Sequence, residues 1–389
     1  MEQILFKDYT IQKPYIDKMT RKDTWVKFDY DNLYPERVLD LVNSSPLQKS
    51  ILESKKTYII GAGLEQTDEN IYTPNMAETW SDLVEKAVED WVYLKAMAFQ
   101  LILNESGNRF SIYYQPVSQV RLGNYNEQNF IDKAYLCTDW RKAQKNKNVV
   151  EIPMFGSETP QKGKAYLIYF RPEQVGEYYY AIPEYMSASN YIAADAALSA
   201  YYNNYIHNNF SANIALRFPT EPTEEKKEEL YKNLKSSFGG AENAGNILLL
   251  FGENGVVPEI NSIESVNADL YNSVVDIIKL ALVSANRLTS PILAGISTSS
   301  GFSSKSDELI AAYTLYKLTV INTERAFVLK TFNKLLELNG LPRVMAFKDF
   351  DIRSEFEGET TKNDTVEDEG NNIEKEEEKE VQDEQDEVR

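Results

Sequence analysis

Few residues in this 389-residue chain are equipped for covalent chemistry. It has one histidine, His207, and one cysteine, Cys137. General acid–base work or metal ligation by His207 needs partners at hydrogen-bond or ligand spacing, and none lies near it in sequence. His207 falls in an alanine-rich, helix-like stretch and reads as a structural or surface histidine. Cys137 stands in a strand-like pattern with no histidine nearby and reads as a buried small hydrophobe. One cysteine excludes an internal disulfide, which fits a reducing cytoplasmic origin. Gly61-Ala62-Gly63 lacks the later Gly-Lys-Ser/Thr that cradles a phosphate, so it reads as a helix stop. Gly239-Gly240 and Gly245 read as turn glycines. The carboxylates are many but scattered, with no cluster on paired strands to hold a catalytic metal. No residue is assigned a catalytic, cofactor-binding or metal-ligating role, no cofactor is expected, and the expectation is a protein that is not an enzyme.

What remains is a loop of small polar residues and the elements that carry it. The stretch 267–340 reads as a helix, a polar loop and a longer helix. Leu270, Val274, Ile277, Ile278, Ala281, Leu282, Ala285 and Leu288 recur at three-four spacing, the signature of a helix face over 267–288. The linker TSPILAGISTSSGFSSKS holds Pro291, Gly295, Gly301 and seven serines, a poor helix former. The second helix, 307–339, begins with acids that suit its positive end and stops at Gly340-Leu341-Pro342.

Upstream, residues 1–35 read as an irregular aromatic arm. Helices follow at 36–45 and from Pro46 as a first-turn proline, ending at Gly61 and Gly63. A third helix is expected over 78–103. Strands are expected at 110–114, 117–122, 133–137, 149–153 and 165–170, forming a small antiparallel block over roughly 109–172. Residues 182–210 read as helix. Strands at 213–218 and 246–251 flank a charged helix, 224–238, whose Glu/Lys run is an ordinary solvated face. A last strand is expected near 343–352. The fold class is therefore α+β, with long helices, small antiparallel β regions and a strand–helix–strand insert.

Net charge is −19, unevenly spread. Residues 354–389 hold 16 acids and four basic residues, so 12 of those charges sit there and seven on the rest. That tail reads as disordered. The body lacks the basic footprint of a protein that grips phosphates, and it could still handle DNA only if its task were to let DNA slide. No signal peptide and no run of membrane-spanning length is read. The 25 tyrosines suit large, part-wet subunit interfaces, or reflect composition bias alone.

In order along the chain, several stretches resemble the portal proteins of tailed bacteriophages, the head–tail connectors. DNLYPERVLDLVNSSPLQKSILESKKTYIIGAGL is similar to the family's proline-split opening helix pair. YQPVSQVRLG at 114–123 is similar to the strand that follows. The most specific stretch is YYAIPEYMSASNYIAADAALSAYYNNYIHNNFSANIALRFP at 179–219, with Ile-Pro, a long helix, an Asn-rich break and an apolar strand. LVSANRLTSPILAGIS at 282–297 resembles the family's step into its long helix. The likeness covers about 1–353 and leaves out the tail.

The resemblance implies a homo-oligomeric ring, typically a dodecamer, at the capsid vertex of a virion, assembled in the bacterial cytoplasm or encoded by a prophage. Residues 1–182 would be the N-terminal wing region, 183–212 and 267–288 the stem helices, 213–266 the clip, 289–306 the tunnel loop, and 307–353 the wing helix and C-terminal strand. A short C-terminal region leaves a helical crown in doubt. Double-stranded DNA would pass, whatever its sequence, along Ser297, Thr298, Ser299, Ser300, Gly301, Ser303, Ser304 and Lys305. Lys305 is the loop's one base, a collar under ring symmetry or an ordinary solvated lysine at a helix start. Ile214, Leu216, Leu248 and Leu250 would meet neighbouring clips, because a small insert cannot bury them alone. The implied partners are a terminase large subunit, the major capsid protein and a head–tail adaptor, with no membrane. The rival readings are a non-channel capsid-associated adaptor or scaffold and a metal-dependent nucleic-acid-processing enzyme.

Overall fold

The computed structural model describes residues 25–65, 73–144, 147–177, 179–207, 214–218, 223–226, 228–229, 232, 247–251, 260–262, 268–296 and 306–350. It divides into two compact units. One draws on Met1–Leu52, Trp140–Lys142 and Ile182–Asn286, the other on Glu53–Asp139, Ala143–Ala181 and Arg287–Arg389. Both mix helix and sheet, so the class is α+β as expected.

The first unit is built on helices α1 (Tyr34–Ser44), the first half of α2 (Pro46–Ile60), α4 (Ser189–His207) and α5 (Ala268–Ala285). Proline forces the residue before it into extended backbone, and Ser45 is extended between α1 and α2. Its hydroxyl accepts from the Gln48 amide at 3.2 Å and donates to Asp195 at 2.6 Å. Asp195 also accepts from the Leu47 amide at 3.1 Å, placing an anion at the positive end of α2. Gln48 and Asn286 exchange two buried amide hydrogen bonds, at 3.2 and 2.9 Å. The core is Val38, Leu41, Val42, Ile51, Leu52, Ile192, Ile278 and Leu282. The expected helix at 182–210 opens instead with a 3₁₀ turn, Glu184–Ala188.

This unit also holds a three-stranded sheet of order β8–β7–β9. Strands β7 (Ile214–Phe218) and β8 (Ile247–Phe251) are parallel, in register Ile214↔Ile247. A parallel pair needs a crossover, and the described residues 224–226 of the expected charged helix are helical within it. Strand β9 (Ile260–Ser262) pairs antiparallel with β7. Three residues are too few to carry an alternation, so periodicity alone leaves this stretch as connector.

In the second unit, α3 (Trp80–Leu94) starts on a capping box between Thr79 and Asp82. It ends at Lys95, whose φ of 57° is left-handed. The expected helix over 78–103 is thus a helix and then a strand, β1 (Met97–Leu103). Met97, Ala98, Phe99 and Leu101 are all buried. A strand buried on both faces shows no polar alternation and cannot be told from a helix by periodicity.

Strand β1 is central in β2–β1–β6, with β2 (Phe110–Tyr114) and β6 (Ala165–Phe170) antiparallel to it. A second sheet joins β3 (Val120–Leu122), β4 (Lys133–Leu136) and β5 (Val150–Pro153). The expected strand at 117–122 shortens because Val117–Gln119 form a 3₁₀ turn. Asp90 of α3 bonds to the Tyr114 hydroxyl at 2.7 Å and the Val117 amide at 2.8 Å. Burial pushes its carboxyl up to about 7, against those two bonds.

The closing element is one helical run, α6 (Ser306–Tyr316), a π turn (Lys317–Ile321) and α7 (Asn322–Leu338). Phe332 of α7 packs edge-on to Phe99 at 5.5 Å and to Trp80 at 6.4 Å. No strand forms at 343–350 among the described residues. That segment makes a single bridge, Leu64↔Phe347, beside the end of α2.

Two consecutive residues of α7 tie this unit together. Glu324 accepts from Lys95 at 2.8 and 2.9 Å, from the Trp91 indole at 2.7 Å, and pairs with Lys55 at 3.0 Å. Burial pushes its carboxyl up, but Lys55 and Lys95 outweigh that and hold it at about 2. Arg325 donates to the carbonyls of Ile59 and Tyr58, at 2.7 and 3.0 Å. Those are open carbonyls at the end of α2. Gly61 follows at φ 62°, where an added Cβ would sit 2.2 Å from the Lys348 carbonyl oxygen. The Gly-Ala-Gly stretch is therefore a helix stop gripped by an arginine.

Removing the carboxylate takes a shared anion from two buried ammonium groups, Lys55 and Lys95. Glu324→Ala is expected to cost about 3–5 kcal/mol in urea unfolding. Because the folded group titrates below its ordinary 4.5, its contribution is present above pH 4.5 and is lost as pH falls toward about 2. The difference between wild type and Glu324→Ala should shrink over that window.

Candidate functional site: a loop frame and uncovered helix faces

The polar loop is entered through a short, well-anchored segment. Asn286 bonds back to the Leu282 carbonyl at 3.1 Å through its amide, and Arg287 then turns at φ 57°. Pro291–Ala294 form a 3₁₀ turn closed by Gly295 at φ 69°, a conformation that glycine adopts at no steric cost. Leu293, Ala294 and Ile296 are buried. The Tyr58 hydroxyl donates to the Leu293 carbonyl at 2.8 Å. The Thr289 hydroxyl donates to the Ala312 carbonyl at 2.7 Å, and the Arg287 guanidinium to the Thr319 carbonyl at 3.3 Å. Both acceptors belong to the helical run that follows the loop.

Tyr58 packs against Tyr313 at 5.5 Å and Tyr316 at 5.9 Å. Burial pushes all three phenols up, Tyr316 the furthest into the core. Such groups stay neutral and serve as packing surface; of the three hydroxyls only that of Tyr58 donates, those of Tyr313 and Tyr316 having no hydrogen-bond partner among the described residues. The described frame runs to Ile296 and resumes at Ser306.

The expected channel residues, Ser297, Thr298, Ser299, Ser300, Gly301, Ser303, Ser304 and Lys305, lie outside the described residues. So do the side chains of Ile214, Leu216, Leu248, Leu250 and His207, and the whole tail from 351. The backbones of the four clip residues lie in the β7–β8 pair. Cys137 is buried as expected, its thiol donating to the Asp139 carbonyl at 3.3 Å.

Two helix faces are apolar and uncovered. On α5, Ile278, Leu282 and Val283 are buried, whereas Val274, Ile277 and Leu280 are 40%, 57% and 70% exposed. Part of the single face expected at 267–288 is therefore turned out, beside exposed Ser273, Asp276 and Ser284. In the second unit, Leu315 and Leu318 are exposed on the helical run. Sequence reading missed Leu280, Leu315 and Leu318. The available signal was Leu280, which falls outside the three-four pattern that the buried residues keep.

Among the described residues no His, Cys, Asp and Glu cluster is arranged to hold a metal ion, and no helix is long and apolar enough to cross a membrane. The described site offers a frame at both ends of the loop and exposed apolar residues on two helices.

No family model matches the sequence, and no curated protein matches it. Solved structures do. A chain from the virion of a native gene transfer agent particle is 14% identical, with a TM-score of 0.54 over 85% of this chain and 88% of that one. A chain from the neck of the native particle, computed with C12 symmetry, is 15% identical, with a TM-score of 0.51 over 82% and 85%. A crystal structure of an HK97 family phage portal protein from Corynebacterium diphtheriae aligns at 12% identity and 0.38, over 72% and 84%, a score that establishes no common fold. The fold of this chain is that of the matched gene transfer agent chains.

The anchor is testable by itself. Tyr58→Phe keeps the ring stack and removes one hydroxyl, at an expected cost of about 1 kcal/mol. Amide exchange in 293–296 should speed up while exchange in α3 stays at the wild-type rate.

Proposed function

We propose that this chain is the subunit of a portal, a ring with a central channel through which double-stranded DNA enters and leaves a capsid. The observation that carries this reading is the fold shared with the gene transfer agent chains over most of both lengths, one of them from a neck computed with C12 symmetry. The uncovered faces of α5 and the long helical run support it, because ring neighbours would cover them. The weakly acidic body supports passage of DNA without retention. In this reading 213–266 is the clip that meets the terminase large subunit and later the head–tail adaptor. The wing regions meet the major capsid protein, and 297–305 line the narrowest part of the channel. The chain has no catalytic task; a separate ATPase drives DNA.

Electron microscopy of the purified chain should show rings with a hole. Particles without a hole would favour the non-channel adaptor. Ile277→Glu with Leu280→Glu should leave subunit stability within about 0.5 kcal/mol, since both are exposed on the single chain, yet abolish rings.

Deleting 298–304 removes no described core residue. Rings should persist while packaged DNA per particle falls. Lys305→Ala should have the smaller effect, since one exposed lysine contributes little unless the collar acts collectively. Normal packaging by the deletion variant would remove the channel assignment from this loop.

A further inference from the structure

A cavity of about 620 Å³ lies in the second unit between the end of β6 and α7. Its charged lining is four bases, Arg171, Lys330, Lys334 and Arg343, and one acid, Glu337. Glu337 is already engaged by Arg343 at 2.6 Å. Lys330 and Lys334 are exposed and form no ion pair among the described residues. Phe170 and Phe327 give the same cavity an apolar wall, and both rings are partly exposed. On a body with an excess of acids this concentration of basic groups around aromatic rings calls for an acidic occupant with an apolar side chain.

The chain carries such a segment close by. Residues 354–389 hold 16 acids and four bases, and open with Glu355-Phe356-Glu357. The described structure ends at Phe350, seven positions after Arg343 of the cavity wall. Asp349 pairs with Arg325, which is five positions before Lys330 on the same helix. Those five positions rise about 8 Å along the helix and turn about 140° around it, a path that the six residues from Phe350 to Phe356, about 20 Å when extended, are long enough to follow.

We propose that this cavity is the docking site of the chain's own acidic C-terminal segment. Phe356 meets the rings of Phe170 and Phe327, and Glu355 and Glu357 meet Lys330 and Lys334. Tethering supplies the segment at roughly millimolar effective concentration, so burial of the Phe356 ring together with a few charge pairs is enough to hold it. Occupancy withholds the bases from nucleic-acid phosphates. The inference goes beyond the portal reading and does not depend on it.

The test uses the full chain, with carbodiimide coupling of lysines to carboxylates and mapping of the linked peptides. Lys330 and Lys334 should couple to acids in 355–389 about fivefold more than exposed Lys49 does, and the excess should vanish in 1 M salt, where the screening length is about 3 Å. Lys330→Glu with Lys334→Glu should make the tail about fivefold more sensitive to a glutamate-specific protease, with the urea midpoint unchanged. Phe356→Ser should do the same with the cavity intact, which covers the case in which the double variant does not fold. Coupling no greater than at Lys49 overturns the proposal. So do unchanged tail cleavage in Phe356→Ser, protection of Lys330 and Lys334 by duplex DNA in the tail-bearing chain, and links that join two differently labelled copies.

Discussion

The second unit depends on one pair of neighbouring residues with opposite charge, Glu324 and Arg325. Consecutive positions on a helix lie about 100° apart, so the pair faces two directions at once. Glu324 gathers Lys55, Lys95 and the Trp91 indole, and so fixes α2 and the end of α3 to α7. The left-handed turn at Lys95, which ends α3 and allows β1 to begin, is held by the same carboxylate. Arg325 closes the end of α2 and pairs with Asp349, so the segment after α7 is tied to the glycine stop. Buried ions are costly unless every partner is present. That is why the network sets geometry tightly.

The sequence made legible what local chemistry governs. Pro46 splits α1 from α2, Gly61 and Gly63 stop α2, and Phe110–Tyr114 and Ala165–Phe170 are strands as read. Each signal lies within a few residues of its effect. What failed to show depends on distant partners. Strand β1 looks helical because its hairpin partner β2, the sequence-remote β6 and α3 together bury most of it. The helix–strand change at Lys95 is enforced by a residue 229 positions away. The expected strand near 343–352 is a single bridge, since its partner is the short segment after α2 and not a sheet.

The candidate site divides the same way. The loop's composition and its two flanking helices were readable, and the described frame ends where the serine-rich stretch begins. The anchors were not readable, because Tyr58 lies 235 positions from Leu293. The outward face of α5 escaped notice for a different reason. Periodicity reports that a residue is apolar, and cannot say whether its own chain or another copy covers it. Only exposure separates Ile277 from Ile278, adjacent residues of the same type.

The π turn at Lys317–Ile321 joins these threads. A helix of this length that served only as a strut would keep one hydrogen-bond pattern throughout. Here the pattern widens for five residues, a local change often found at functional positions. Thr319 bonds back to the Leu315 carbonyl at 2.7 Å, a contact that bends helices. The Thr319 carbonyl in turn accepts from Arg287 at the loop's entry. The irregular part of the helix is therefore the part that the loop's entry residue grips. Thr319 carries that contact five positions before Glu324 on the same helical run, so the loop's entry and the Glu324–Arg325 network meet one continuous helix.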